Sequence, residues 1–243
     1  MKKRISSKGL LIYPIFVISI SIISLSCNKS NEEQYSCDPQ VNEWTVKYKS
    51  SFLDMTREQL ALVPIKYQGA IYETFSPEKK ADFWKEKINI VLSYDCEPLL
   101  KEKIMELYSS IDVEDYDREA TEPPSGSTLD FVENWENYIL ENQLVDSVTF
   151  VVNFCTLLTF DEIDYLINHS DKIDLSWLNG NEELIIDGPG GGGGGIDCRC
   201  RYDIYCSIFL NVECVNGGCN KVYRCGVAGN SACNGLCEEM IIE

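Results

Sequence analysis

Residues 198–237 read CRCRYDIYCSIFLNVECVNGGCNKVYRCGVAGNSACNGLC, which puts eight cysteines in forty residues directly after a run of glycines. They are Cys198, Cys200, Cys206, Cys214, Cys219, Cys225, Cys233 and Cys237, an even set in a segment too short to bury much apolar core. Crosslinks must supply the missing stability. Each bridge contributes about 2–4 kcal/mol, in a chain-entropy account by restricting the unfolded state. Such cysteine density implies export to an oxidising compartment. Eight cysteines allow about 105 pairings, among which sequence does not choose.

The spacing carries a second signal. From Cys200 the chain runs C-x5-C-x7-C, and from Cys219 it repeats C-x5-C-x7-C, with Asn211 and Asn230 at the same place in each copy. Asn216-Gly217-Gly218-Cys219 and Asn234-Gly235-Leu236-Cys237 close the copies, Val215 being one extra residue in the first. Asn-Gly favours tight hairpins because both residues tolerate positive φ. The segment therefore reads as two related half-modules, each a pair of short strands or loops closed by a turn; the alternative is chance recurrence in a Cys- and Gly-rich tail. Structural zinc usually requires close C-x2-C pairs. None occurs, and the single histidine, His169, lies outside the cluster, so no metal or other cofactor is expected.

Outward from the cluster, Asp187-Gly188-Pro189 precedes Gly190, Gly191, Gly192, Gly193, Gly194 and Gly195. Six glycines in a row are costly to order, so residues 187–195 form a flexible, exposed linker that a protease can bind in extended form. Either it separates modules or it is where the tail is released.

At the other end, Lys2, Lys3, Arg4 and Lys8 precede an apolar run from Leu10 to Leu25 that closes on Ser24-Leu25-Ser26-Cys27. This has the three parts of a secretory signal peptide and is short of the roughly twenty residues needed to span a bilayer. A cysteine after a small residue there is similar to the lipobox of bacterial lipoproteins, although Leu25 lies one place nearer the cysteine than in the usual pattern. The lipobox resemblance implies a diacylglycerol on Cys27, hence membrane anchoring and a place in the cell envelope; an ordinary signal peptide is the alternative. Residues 28–45 would be a tether.

Loss of residues 1–27 removes four of the 21 basic residues and none of the 39 acidic ones, leaving a net charge of −22. Nucleic acid and anionic lipid are poor partners for such a chain. From Ile196 onward there are four basic and six acidic residues, so most of the charge lies in the preceding region.

That region, residues 46–186, reads as an acidic helical domain. Thr56-Arg57-Glu58-Gln59 is a capping box, and Ser76-Pro77 pairs an N-cap with proline at the first helical position. Ala81, Trp84, Ile88 and Val91 recur at helical spacing, as do Leu99, Leu100, Ile104, Leu107 and Tyr108. Residues 112–126 read as a loop. A helix is expected over residues 129–142 with Phe131, Trp135, Tyr138 and Ile139 inward, and another from the capping box Thr159-Phe160-Asp161-Glu162. Residues 148–158 fit a buried helix or a strand. The expected fold is mostly α, a helical domain followed by a small disulfide-rich module of loops and short strands over residues 196–243.

No catalytic constellation stands out: the chain lacks a phosphate-binding glycine loop, metal spacing and a distinct acid–base pair, so no enzyme is expected. Asp161, Glu162 and Asp164 read as the dipole-favoured first turn of a helix. Cys155, flanked by Val151, Val152, Phe154 and Leu157, reads as a core position rather than a reactive thiol. Cys37 and Cys96 could bridge in an oxidising compartment.

The eight-cysteine tail, with its Cys198-Arg199-Cys200 start and Cys233-Asn234-Gly235-Leu236-Cys237 finish, resembles the fulvocin C-related bacteriocin family. The middle of the chain resembles that family's precursor region in the segment from Leu62-Val63-Pro64 to Ile71-Tyr72, in Phe75-Ser76-Pro77-Glu78-Lys79-Lys80 and at Trp84. The resemblance spans most of residues 50–240. It implies an antibacterial peptide, starting at Ile196 or Cys198, held by four disulfides and carried by an exported precursor, with a target protein or the membrane of a competing bacterium as partner. The apolar Ile204-Tyr205 and Ser207-Ile208-Phe209-Leu210 would meet that target. The competing reading is an anchored surface lipoprotein whose Cys-rich head binds a partner or serves a structural role. A third is a secreted enzyme or inhibitor with a reactive loop at residues 215–218.

Overall fold

The computed structural model describes residues 33, 35–36, 39–119, 122–169, 213–216, 222–233 and 235–238. Among these, eight helices and four short strands appear, so the protein is mostly helical with a small stranded C-terminal part.

The helices start where local chemistry satisfies their free N–H groups. Thr56 and Gln59 form a reciprocal capping box at α2 (Arg57–Ala61), and the Ser76 side chain accepts from the Lys79 amide at α4 (Pro77–Leu92), with Pro77 in its first turn. At α8 (Phe160–His169) the Glu162 amide donates to Thr159 Oγ1 while the Thr159 amide donates to Glu162 Oε2, completing a second box. Residues 148–158 resolve as helix: α7 (Ser147–Phe154) is capped by Asp146, whose carboxylate accepts from the Thr149 amide. The helical body starts earlier than residue 46, since α1 (Pro39–Tyr48) already buries Val41 and Thr45.

Two apolar clusters hold the body together. In the larger, α4, α5 (Pro98–Ser110), α6 (Gly126–Glu141) and α7 meet around Trp84, Ile88, Ile104, Leu107, Trp135, Ile139, Phe150 and Phe154. The second is aromatic: α1, α2 and α3 (Ile65–Glu73) enclose Phe52, Tyr67, Phe75 and Phe83, with the Trp44 ring tilted against that of Tyr67 at 4.7 Å between centroids. Helix α8 lays Ile163 and Leu166 against Ala61, Val152 and Leu158. Two inward assignments are corrected: Leu99 and Tyr138 are exposed, because the buried stripes of α5 and α6 follow Leu100–Ile104–Leu107 and Val132–Trp135–Ile139.

The strands form two antiparallel pairs. β1 (Glu213–Asn216) pairs with β4 (Gly235–Glu238), matching Cys214 with Cys237, and β2 (Val222–Cys225) pairs with β3 (Ser231–Cys233). Within the second repeat β2 and β3 pair, joined through residues 226–230 rather than through the expected Asn-Gly turn, since Gly235 lies in β4; residues 200–212 of the first repeat fall outside the described residues. The β1–β4 pair instead joins the end of one repeat to the end of the other, Asn216 opposite Gly235. Val215 and Asn216 therefore belong to a strand rather than to an exposed reactive loop.

Candidate functional site: a clamp for the C-terminal hairpin

The hairpin β2–β3 is not a separate appendage. Its connection, residues 226–230, enters the larger helical cluster, where Val227 and Ala228 are 0% and 1% exposed. Burial of Val227 alone is worth about 1.5–3 kcal/mol.

The tip owes its shape to three positive φ angles and one crosslink. Gly226 (φ 62°, ψ −152°) occupies a region reserved for glycine, Ala228 stands at φ 50°, and Gly229 at φ 68°. The Cys225–Cys233 disulfide closes the loop at its base. A Cβ on Gly229 would lie 3.0 Å from Trp84 Nε1, so glycine permits the backbone to rest on the indole.

The helical body meets this tip with polar groups from the segment between α5 and α6. Residues 112–126 are more than a loop: a 3₁₀ turn, Val113–Tyr116, buries Asp115 and Tyr116. The Tyr116 hydroxyl donates to the Ala228 carbonyl at 2.9 Å and accepts from Asn230 Nδ2 at 3.5 Å. Arg118 donates from Nη2 to Asn230 Oδ1 at 2.9 Å. Its guanidinium is aimed by bonds to the carbonyls of Asp115 (2.6 Å) and Glu122 (2.8 Å). Asp115 in turn accepts from Thr128 Oγ1 at the start of α6. The buried Ala228 carbonyl thus finds its donor on the opposite element, as burial demands.

An ion pair flanks the apolar contact. Glu73 at the end of α3 lies 3.2 Å from Arg224 of β2 and 3.0 Å from Lys80 of α4. Burial pushes its carboxyl up, but Arg224 and Lys80 outweigh that and hold it below the usual carboxylate range. Burial drives the Tyr116 and Tyr72 phenols upward and the Arg118 guanidinium downward. The phenols remain protonated, so Tyr116 is a fixed donor.

A second polar cluster lies beneath α8. Arg57, 2% exposed, makes a bidentate pair with Glu162 at 2.9 and 2.8 Å, bonds Glu86 at 3.0 Å, and donates to the Leu157 carbonyl. Lys87 is wholly buried and donates to the Leu158 carbonyl; burial, opposed by Glu162 and reinforced by Arg57, lowers its ammonium to about 7. An amine of that kind suits nucleophilic chemistry only if substrate can reach it. The described surface groove, of about 820 Å³, lies elsewhere, against α5 and Phe131. The cluster therefore locks α2, α4 and α8 together. Glu162, read as an acidic first turn, has this additional role.

Of the expected site residues, Cys225 and Cys233 are bridged and Cys214 is disulfide-bonded. Cys237 lies opposite Cys214 in the β1–β4 pair. Cys96 is a free thiol, so the bridge proposed between Cys37 and Cys96 is not formed. Cys96 packs, partly buried, against the larger cluster. Cys155 follows α7, partly buried against the core. Cys27, Cys37, Cys198, Cys200, Cys206, Cys219, the glycines 190–195, and residues 204–210 fall outside the described residues. Among the described residues no group of three or more His, Cys, Asp or Glu side chains could hold a metal ion, and no helix is long and apolar enough to cross a membrane.

Sequence reasoning missed Tyr116, Arg118, Glu73, Arg57 and Lys87. Lys80 and Lys87 had a visible signal, since they fall at helical spacing on the same stripe as Trp84 and Val91. Tyr116 and Arg118 had none, because their partners are about 112 residues away in the chain. No family profile, curated protein or solved structure matches this chain.

Proposed function

We propose that the chain is an exported, bacteriocin-like precursor, in which the helical domain carries and masks a disulfide-stapled C-terminal peptide beginning near Ile196. One observation carries this reading: the tip of the hairpin, the most tightly shaped element described in the Cys-rich segment, is buried against the helical body. A crosslinked loop with three positive φ angles and an apolar Val-Ala tip has the features of a recognition loop held in its binding shape. While docked it cannot meet a target. The glycines 190–195 provide a place to cut between carrier and cargo, and lipid at Cys27 would keep the carrier at the envelope.

The alternative, an anchored surface lipoprotein whose Cys-rich head is never released, draws on the same contact: Val227 and Ala228 complete the main core, as integral parts of a fold do.

Intact mass spectrometry of medium and membrane fractions separates the two. A free oxidised peptide of about 46–48 residues in the medium supports the precursor and should kill sensitive bacteria. Full-length acylated protein confined to the membrane, with no killing by the peptide cut from it, defeats the toxin reading and leaves the anchored module.

A further inference from the structure

We propose that the surface formed by Glu73, Trp84, Tyr116 and Arg118 is a receptor site that continues to bind the Cys-rich peptide after the linker is cut, so that the carrier neutralises free peptide in trans. The inference rests on the precursor reading and concerns what the helical domain does once processing has occurred.

The described contacts of the site run from α3, α4 and residues 116–118 to β2 and the loop tip. Each has the character of an intermolecular interface. There is an apolar centre, with Val227 and Ala228 fully withdrawn from water among Trp84, Tyr116 and neighbours. Around it stand a phenol donor, an aimed guanidinium and an ion pair at the edge, the pattern of a buried anchor within a polar rim. The ligand is constrained before it docks, since the Cys225–Cys233 bridge closes the loop while the glycines permit its positive φ angles. Little conformational freedom is lost on binding, which favours a stable complex from a small surface.

The partner is therefore defined by chemistry: a disulfide-closed hairpin with a Val-Ala tip, a free carbonyl for Tyr116, an asparagine amide for Arg118 and a cation for Glu73. The matching ligand on hand is the peptide of this chain itself, from the same copy or another. A producing cell with cut carrier on its envelope would hold a sink for its own product.

The test uses the full oxidised chain with a specific protease site in place of residues 190–195, cut after folding and run on size-exclusion columns over a dilution series. After cutting, rebinding of peptide to carrier is bimolecular. The expected result is a one-to-one complex at micromolar concentration, either persisting on dilution or dissociating reversibly and re-forming when concentrated. Arg118→Ala and Glu73→Gln should each move the dissociation midpoint at least about tenfold higher. Immediate separation with disulfides intact, failure to re-form, or unchanged midpoints in variants that melt cooperatively would overturn the proposal. Should a variant fail to fold, the cut wild-type chain still decides whether binding survives cleavage. Killing is not a readout here, so this proposal can fail while the precursor reading stands, and the reverse.

Discussion

The Tyr116 hydroxyl donates a 2.9 Å hydrogen bond to the Ala228 carbonyl, joining two residues 112 apart in the chain inside the main core. It ties a turn of the acidic helical region to the tip of the Cys-rich hairpin. Tyr116→Phe keeps the ring and removes only the hydroxyl, stranding the Ala228 carbonyl and one Asn230 donor. Loss of a buried partner costs about 1–3 kcal/mol. The melting temperature should fall by about 2–4 °C for each kcal/mol in a domain of this size. Amide exchange at residues 227–230 should rise more than exchange in α6, and equal loss of protection in both would show that the contact is not local to the docked tip.

Acid should loosen the same contact. Burial raises the Glu73 carboxyl, Arg224 and Lys80 lower it further, and the folded value ends below that of the unfolded chain. The unfolded chain takes up the proton near the ordinary glutamate value of about 4.3, before the folded chain does. The stabilisation from Glu73 is thus complete above that pH and is lost as pH falls through the folded value. Following residues 224–231 by NMR against pH should show them undocking in acid ahead of the helices. In Glu73→Gln this step should vanish, with docking weaker at neutral pH.

Two glycine substitutions bracket the geometry at the tip. Gly229→Ala places a Cβ 3.0 Å from Trp84 Nε1 at a backbone φ of +68°, where the left-handed conformation alone costs roughly 1–2 kcal/mol. Gly126→Ala, in the first turn of α6 with nothing within 4 Å of the new Cβ, should be neutral or stabilising by about 0.4–1 kcal/mol. Chemical denaturation of both variants checks this, and similar effects at the two sites would contradict the close approach of Gly229 to the indole.

What the sequence made legible follows the range of each interaction. The capping residues Thr56, Ser76 and Thr159 act within three positions, so residue type and spacing were enough. The stripe Ala81–Trp84–Ile88–Val91 was legible from its period. The clamp was not, since Glu73, Tyr116 and Arg118 acquire their meaning from residues 224–230, more than a hundred positions away. The glycine run also hid it by marking a boundary in the chain, whereas the folded core runs across that boundary through Val227 and Ala228. The repeat of the cysteines was visible, yet repetition fixes no partner, and β1 at the end of the first copy pairs with β4 at the end of the second.

Lys87 gives the last prediction. Its ammonium is buried among Arg57, Glu162 and the Leu158 carbonyl, with the folded value lowered to about 7, whereas an unfolded lysine titrates at about 10.4. Between those values the unfolded state binds more protons than the folded one. Stability contributed by this group therefore rises with pH from about 7 to about 10, and below 7 the cost of the buried charge is fully present. Lys87→Met fills similar volume without the charge. At neutral pH and below it should stabilise the protein, on the order of 1–4 kcal/mol if the methionine packs well. The difference in unfolding free energy between variant and wild type should shrink steadily from pH 7 to pH 10. A difference constant with pH would mean that the amine keeps its ordinary value, and a variant less stable at every pH would mean that its bond to Leu158 outweighs the cost of its burial.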